Sequence, residues 1–336
     1  MPAASVGIIA NPASGKDIRR LVAHASVFDN GEKSNIIRRV LLGLMEAGVE
    51  NVLYMPDPNH LVDGAAERLD LGGLSLESVP IPGAASAIDT ERAAAAMSDA
   101  ACAVVITLGG DGTNRAVARG WRDVPLIAIS TGTNNVFPVM VEGTLAGVAA
   151  GLVARGAVSL EEAASQAKTI HVQIEGESDD LALVDAALLD ERWIGSRAVW
   201  QPHQLRQLLL ARAEPASLGL SAIGGLLCPV EQRDDSGLLV VAGGNGTVVS
   251  APIVPGNYLD VPVSAFRRVA LGESLEWTGP GVLAFDGERD RRLQPGQQAR
   301  LSVHRNGPRV LSIDRVLHLA ACRQTFVRRH GSEDGD

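Results

Sequence analysis

Ala103–Leu108 (AVVITL) is an apolar run that passes without a break into Gly109-Gly110-Asp111-Gly112-Thr113, and a helical pattern follows over 113–120. A strand that enters glycines and leaves as a helix presents bare backbone N–H groups and a helix N-terminus at one edge of a sheet, where phosphate oxygens bind. Gly109, Gly110 and Gly112 are expected to let the chain turn with positive φ and to let a ligand approach closely. Asp111 adds a carboxylate at the same spot. Beside a phosphate it would repel the anion unless it held Mg2+ or took a proton from an attacking hydroxyl, and both roles belong to phosphoryl transfer. The alternative is a plain strand–turn–helix link with Asp111 as N-cap.

The sequence on either side repeats the pattern. Apolar runs at Val6–Ala10, Asn51–Met55, Glu77–Ile81 and Pro125–Ser130 alternate with helical segments over 17–25, 33–48, 61–71, 87–101 and 142–155. Within 33–48, Ile36, Ile37, Val40, Leu41, Leu44 and Met45 fall on one helical face, and Gly48 stops the helix. Alternation of this kind predicts an α/β domain on a mostly parallel sheet. Its first strand delivers Asn11-Pro12-Ala13-Ser14-Gly15-Lys16, which is not a Walker loop. Ser14, the Gly15 backbone and Lys16 would still suit an anion at a helix N-terminus, the alternative being a capping loop with solvated cations. Pro125–Ser130 delivers Thr131-Gly132-Thr133-Asn134-Asn135, small hydroxyl and amide side chains suited to sugar and phosphate. Three polar loops are thus expected at one sheet edge, where open α/β sheets bind ligands.

Beyond about residue 157 the texture changes to short β-like runs: Thr169–Glu175, Leu181–Leu189, Leu238–Ala242, Thr247–Ile253 and Arg300–Val303. Asn245-Gly246 reads as a tight hairpin turn and 204–213 as a helical interruption. The expected organisation is an α/β domain over 1–156, a β-rich domain over 157–327 and a polar tail over 328–336.

Composition narrows the function classes. The 336 residues suffice for about two domains, and 46% hydrophobic with 21% charged residues is the make-up of a globular protein. A net charge of −9, shared by both halves, disfavours nucleic acid and anionic membranes as partners. Three widely spaced cysteines suggest neither a disulfide framework nor a zinc site and fit a reducing cytoplasm. No segment approaches the roughly 20 apolar residues of a membrane span. The G-x-S-x-G, H-E-x-x-H and G-x-G-x-x-G signatures are absent.

Taken together, NPASGK at 11–16, GGDGT at 109–113, TGTNN at 131–135 and DGE at 286–288 resemble the NAD kinase and diacylglycerol kinase-like superfamily. The N-terminal run IIANPASGKDIRRL is most similar to the ATP-NAD kinase branch that includes acetoin catabolism protein X. The resemblance implies an α/β kinase domain followed by a β-sandwich domain, with ATP and acceptor meeting between them. It implies an ATP- and Mg2+-dependent kinase acting on a small-molecule hydroxyl, with the 2′-OH of NAD as leading acceptor and a link to acetoin catabolism. Asp111 would be the catalytic carboxylate, and Gly109, Gly110, Gly112 and Thr113 would surround the phosphates. Asn11, Ser14, Gly15, Lys16, Gly132, Thr133 and Asn134 would hold the nucleotide, with Glu288 serving nucleotide and Asp286 metal. Asp190 and Glu191 would stand where NAD kinases carry an Asn-Glu pair. Association of copies through their second domains is also implied. The TGTNN loop and DGE resemble the lipid-kinase pattern, so a diacylglycerol or sphingoid kinase is the alternative acceptor class. A non-catalytic nucleotide sensor is the alternative outside enzymes.

Overall fold

The computed structural model describes residues 5–15, 28–132, 135–191 and 202–327. The expected helix over 17–25 and the tail over 328–336 lie outside them. In the first lobe, strands β1 (Ser5–Ala10), β2 (Asn51–Tyr54), β3 (Ser75–Ser78), β4 (Val104–Gly109), β5 (Pro125–Ser130) and β6 (Ala164–Gln166) alternate with helices. The second lobe contributes β7 (Thr169–Ile174), β8 (Asp180–Ala182), β9 (Asp185–Leu189), β10 (Leu205–Leu210), β11 (Ser236–Val254) and β12 (Asn257–Ala270). The chain continues through β13 (Leu275–Thr278), β14 (Gly281–Phe285), β15 (Glu288–Leu293) and β16 (Gln298–His304) to β17 (Arg309–Leu311) and a last helix, Ile313–Cys322.

The first sheet has the order β3-β2-β1-β4-β5-β17-β6, parallel throughout except for the β17–β6 pair. Strands β4 and β5 are buried at every position, as a parallel sheet covered on both faces requires. On one face, helix Asn30–Glu46 packs its Ile36, Ile37, Val40, Leu41 and Leu44 with helix Gly143–Ala154 and with Val316 and Ala320 of the last helix. On the other face, Ile9, Met97, Val105, Val117 and Phe137 share a core with Leu181, Leu183 and Val184, so the lobes are joined by apolar packing. The expected boundary at 156/157 lies just past helix Gly143–Ala154, and residues 309–322 return to the first lobe from beyond the second.

The second lobe is a sandwich. A six-stranded sheet in the order β12-β11-β10-β9-β14-β15 faces a four-stranded sheet in the order β13-β16-β7-β8. Ala186, Leu188, Leu209, Leu283 and Phe285 of the larger sheet meet Ile170, Val172, Trp277, Leu301 and Val303 of the smaller.

Local expectations fail at two places here. Residues 205–210 form β10 instead of a helix: Leu205 and Leu208–Leu210 are buried, and the strand pairs on both sides with β9 and β11. Its Leu, Arg and Gln are good helix formers, but two ladders and a buried site outweigh that weak bias. Asn245-Gly246 is not a hairpin turn. Ala242 and Thr247 both stand opposite Val263, so Gly243–Gly246 form a bulge within β11, and the β11–β12 turn falls at Pro255-Gly256.

Candidate active site

The carboxyl ends of β1, β4 and β5 are adjacent because their strands are, and their loops interlock. The Asn11 side chain donates from Nδ2 to Thr113 Oγ1 at 2.9 Å, tying the first loop to the glycine corner. Ser14 Oγ shares a hydrogen bond of 2.8 Å with Thr131 Oγ1, tying it to the third loop. The Thr131 N–H donates to the Gly109 carbonyl at 3.2 Å. Gly15 has φ 74°, a conformation that favours glycine.

The glycines of the corner act through space and not through backbone freedom, because none of Gly109, Gly110 and Gly112 has positive φ. A β-carbon at Gly109 would stand 2.5 Å from the Thr113 side chain, and one at Gly110 would stand 2.8 Å from Asn135 Oδ1. Gly132 likewise lies against Asn135 and the Gly15 N–H. Lys16, Thr133 and Asn134, expected in these loops, lie outside the described residues.

Asp111 is the first residue of helix Asp111–Gly120, with Gly110 as N-cap, so the capping alternative does not hold. Its side chain is 8% exposed. Oδ1 accepts the Phe137 N–H at 2.8 Å, and the Val136 N–H is shared between both oxygens at 3.1 Å. Oδ2 therefore keeps lone-pair capacity for a proton. Burial first, then the negative charge of Asp286, push the acid up to about 7, against the pull of the Phe137 and Val136 N–H groups and of Arg212. Both Asp286 and Arg212 come from the second lobe, so Asp111 lies at the junction of the lobes.

The DGE corner arrives there between β14 and β15. The Glu288 carboxylate would lie 3.8 Å from a β-carbon on Gly112, facing the first turn of the Asp111 helix. Asp286, expected as a metal ligand, spends Oδ1 on the backbone: it accepts the N–H groups of Leu183, Val184 and Asp185 at 2.8–3.3 Å, and Oδ2 shares only that of Leu183 at 3.1 Å. It is a buried clasp on the start of β9, raised to about 6 by burial while Arg115 and those N–H groups pull the other way. Among the described residues, no group of three or more His, Cys, Asp or Glu side chains is arranged to hold a metal.

Asp190 and Glu191 are not brought to this corner. They follow the far end of β9, whereas Asp185 begins it and accepts the Gly287 N–H at 3.1 Å. At about 3.3 Å per residue Asp190, five positions on, stands roughly 16 Å from Asp185. The acidic residue that the structure supplies at the corner is Asp185.

A cavity of about 340 Å3 lies beside Phe137, lined by Ile127, Val139, Val310, Leu311, Ser312 and Asp314 of the first lobe and by Arg212 and Gln232 of the second. Arg212 is neutralised by Glu214, at 2.7 Å. Val139, which lines the cavity, and the neighbouring Met140 are exposed.

Comparisons with known proteins match separate stretches of the chain. A model of the ATP-NAD kinase N-terminal domain matches residues 6–157, and one of the acetoin catabolism protein X C-terminal domain matches residues 168–306. Acetoin catabolism protein X of Cupriavidus necator is 39% identical over 339 aligned positions, which cover 97% of this chain and 93% of that protein. The chain belongs to the acetoin catabolism protein X family. Among solved structures, yeast NADH kinase complexed with NADH aligns with a TM-score of 0.56 and 14% identity over 99% of this chain and 91% of that one, a likeness of fold. A putative diacylglycerol kinase from Bacillus anthracis aligns with a TM-score of 0.43 and 12% identity, over 90% of this chain and 98% of that one.

Two features of this family member went unread in the sequence. Arg115, one turn beyond Asp111, donates to the Leu181 carbonyl at 2.7 Å, to Asp290 at 2.7 Å and to Asp180 at 3.0 Å, and lies over the Phe285 ring. Arg291 binds the same two aspartates, so a buried ion network fastens the Asp111 helix to the second lobe. Lys33, fully buried in helix Asn30–Glu46, reaches under the first loop. Neither had a sequence signal beyond a charged residue within a helical pattern.

Proposed function

We propose that the chain is a kinase that transfers the γ-phosphoryl group of Mg·ATP to a hydroxyl on a small molecule, with the 2′-OH of NAD as the first candidate. The observation that carries this reading is Asp111, a carboxylate raised to about 7 and fixed by two backbone N–H groups where three small-residue loops and Glu288 meet. A base poised near neutrality suits removal of a hydroxyl proton as the new O–P bond forms. The acceptor oxygen attacks the γ-phosphorus, its proton passes to Asp111 Oδ2, and the bond to the β,γ-bridging oxygen breaks to release ADP. Mg2+ carried on the donor's phosphates would supply charge neutralisation there. The Ser14, Thr113 and Thr131 hydroxyls and the backbone of Gly15, Gly110 and Gly112 would orient those phosphates, and positioning with charge neutralisation is what this chemistry chiefly requires.

The test is purified protein with ATP, Mg2+ and NAD, with NADP read through a coupled dehydrogenase. NADP formation that is lost in Asp111→Asn while nucleotide binding persists supports the reading. Absence of ADP release with NAD, NADH, polyols and hydroxylated lipids would overturn it. A second acceptor class is a hydroxylated lipid, for which the apolar part of the cavity wall at Phe137, Val139 and Val141 offers contact. ADP release with a hydroxylated lipid but not with NAD selects that class.

A further inference from the structure

Lysine 33 is placed against two ordinary preferences. It is fully buried, and it stands near the start of helix Asn30–Glu46, where the helix dipole disfavours a cation. What it touches accounts for its retention. Its ammonium donates to the carbonyls of Asn11 at 3.0 Å, Pro12 at 3.1 Å and Ser14 at 2.8 Å, and to Asn30 Oδ1 at 3.2 Å. Three carbonyls of one short loop are thus drawn to a single point beneath it. Within the loop the Asn11 side chain accepts the Ala13 N–H at 2.8 Å. On another side, Ser14 Oγ meets Thr131, and the Gly15 N–H lies toward Gly132.

We propose that Lys33 is a positioning residue for a polyphosphate site: its buried ammonium gathers the carbonyls of Asn11, Pro12 and Ser14, preforming the loop that receives the donor's phosphates. This deepens the kinase reading and rests on it for the identity of the ligand. A loop already held in its binding shape spends no affinity on ordering.

The experiment compares wild type, Lys33→Met and Leu41→Ala. Leu41 is buried in the same helix but touches no loop carbonyl, so its variant reports what simple weakening of the helix does. Amide exchange over residues 8–15, measured without ligand, is expected to quicken about tenfold in Lys33→Met and to stay near wild type in Leu41→Ala. Affinity for Mg·ATP and for inorganic tripolyphosphate, by calorimetry, is expected to fall about tenfold or more in Lys33→Met alone. In turnover the loss should appear in KM for ATP with kcat nearly unchanged. If Lys33→Met does not fold, Lys33→Gln, which keeps an N–H donor, takes its place. Unchanged loop exchange in a folded Lys33 variant, or equal losses in Leu41→Ala, would overturn the proposal. Wild type that binds neither probe while the exchange result holds would remove the kinase reading and leave Lys33 as the organiser of the loop.

Discussion

Replacing Asp111 with asparagine separates the charge of this group from its shape. The asparagine Oδ1 can still accept the Phe137 and Val136 N–H groups, so the exchange itself should cost about 1 kcal/mol. The pH dependence is a larger effect. The folded acid stands at about 7, up from 3.8. Native protein therefore holds a proton that the unfolded chain has released throughout that interval. The stabilisation is complete below the unfolded value and is lost as pH rises through the folded one. With about 1.4 kcal/mol per pH unit, going from about pH 5 to about pH 8 should cost wild type roughly 3 kcal/mol through this one group. The asparagine variant does not titrate there, and Asp286 is common to both proteins. Urea denaturation of both at constant ionic strength should show the variant gaining about 3 kcal/mol on wild type between those pH values. A difference constant within about 0.5 kcal/mol would refute the burial argument and the assignment of a base poised near neutrality.

Three further outcomes are expected. Arg115→Met should destabilise the protein by about 3 kcal/mol in denaturant, less than for an orphaned buried charge because Arg291 still serves Asp180 and Asp290; a change under about 1 kcal/mol would show that the network does not fasten the lobes. Asp286→Ala strands the N–H groups of residues 183–185 and should cost about 3 kcal/mol or more, while Mg2+ without nucleotide should leave the wild-type Tm unchanged. A rise in Tm with Mg2+ that this variant abolishes would restore the metal role. Glu288→Gln should leave stability within about 0.5 kcal/mol and lower phosphoryl transfer at least tenfold, and wild-type rates in the variant would remove Glu288 from the site.

The loops were legible for a local reason. An apolar strand, a run of small residues and a helical pattern occupy about twenty consecutive positions, and adjacency in a parallel sheet then brings successive loops to one edge. The meeting of Ser14, Gly110 and Gly132 with their neighbouring loops follows in this way. Motif position does not say which end of a strand faces the DGE corner: Asp185 and Asp190 lie in one short stretch, but the antiparallel pairing of β9 with β14 puts only Asp185 beside it. Nothing in the sequence shows the three N–H donors that hold Asp286.

By itself the order of residues determined the α/β lobe, its β-rich partner and the convergence of three small-residue loops, because hydrophobic period and glycine placement act over a few neighbouring positions. Tertiary structure alone decided that 205–210 is a strand, that β17 returns to the first sheet, and that Lys33 and Arg115 are buried cations with structural partners. The reason is physical: a backbone group or a charge takes its state from whatever saturates it, and for these residues the saturating groups come from elements distant in the chain.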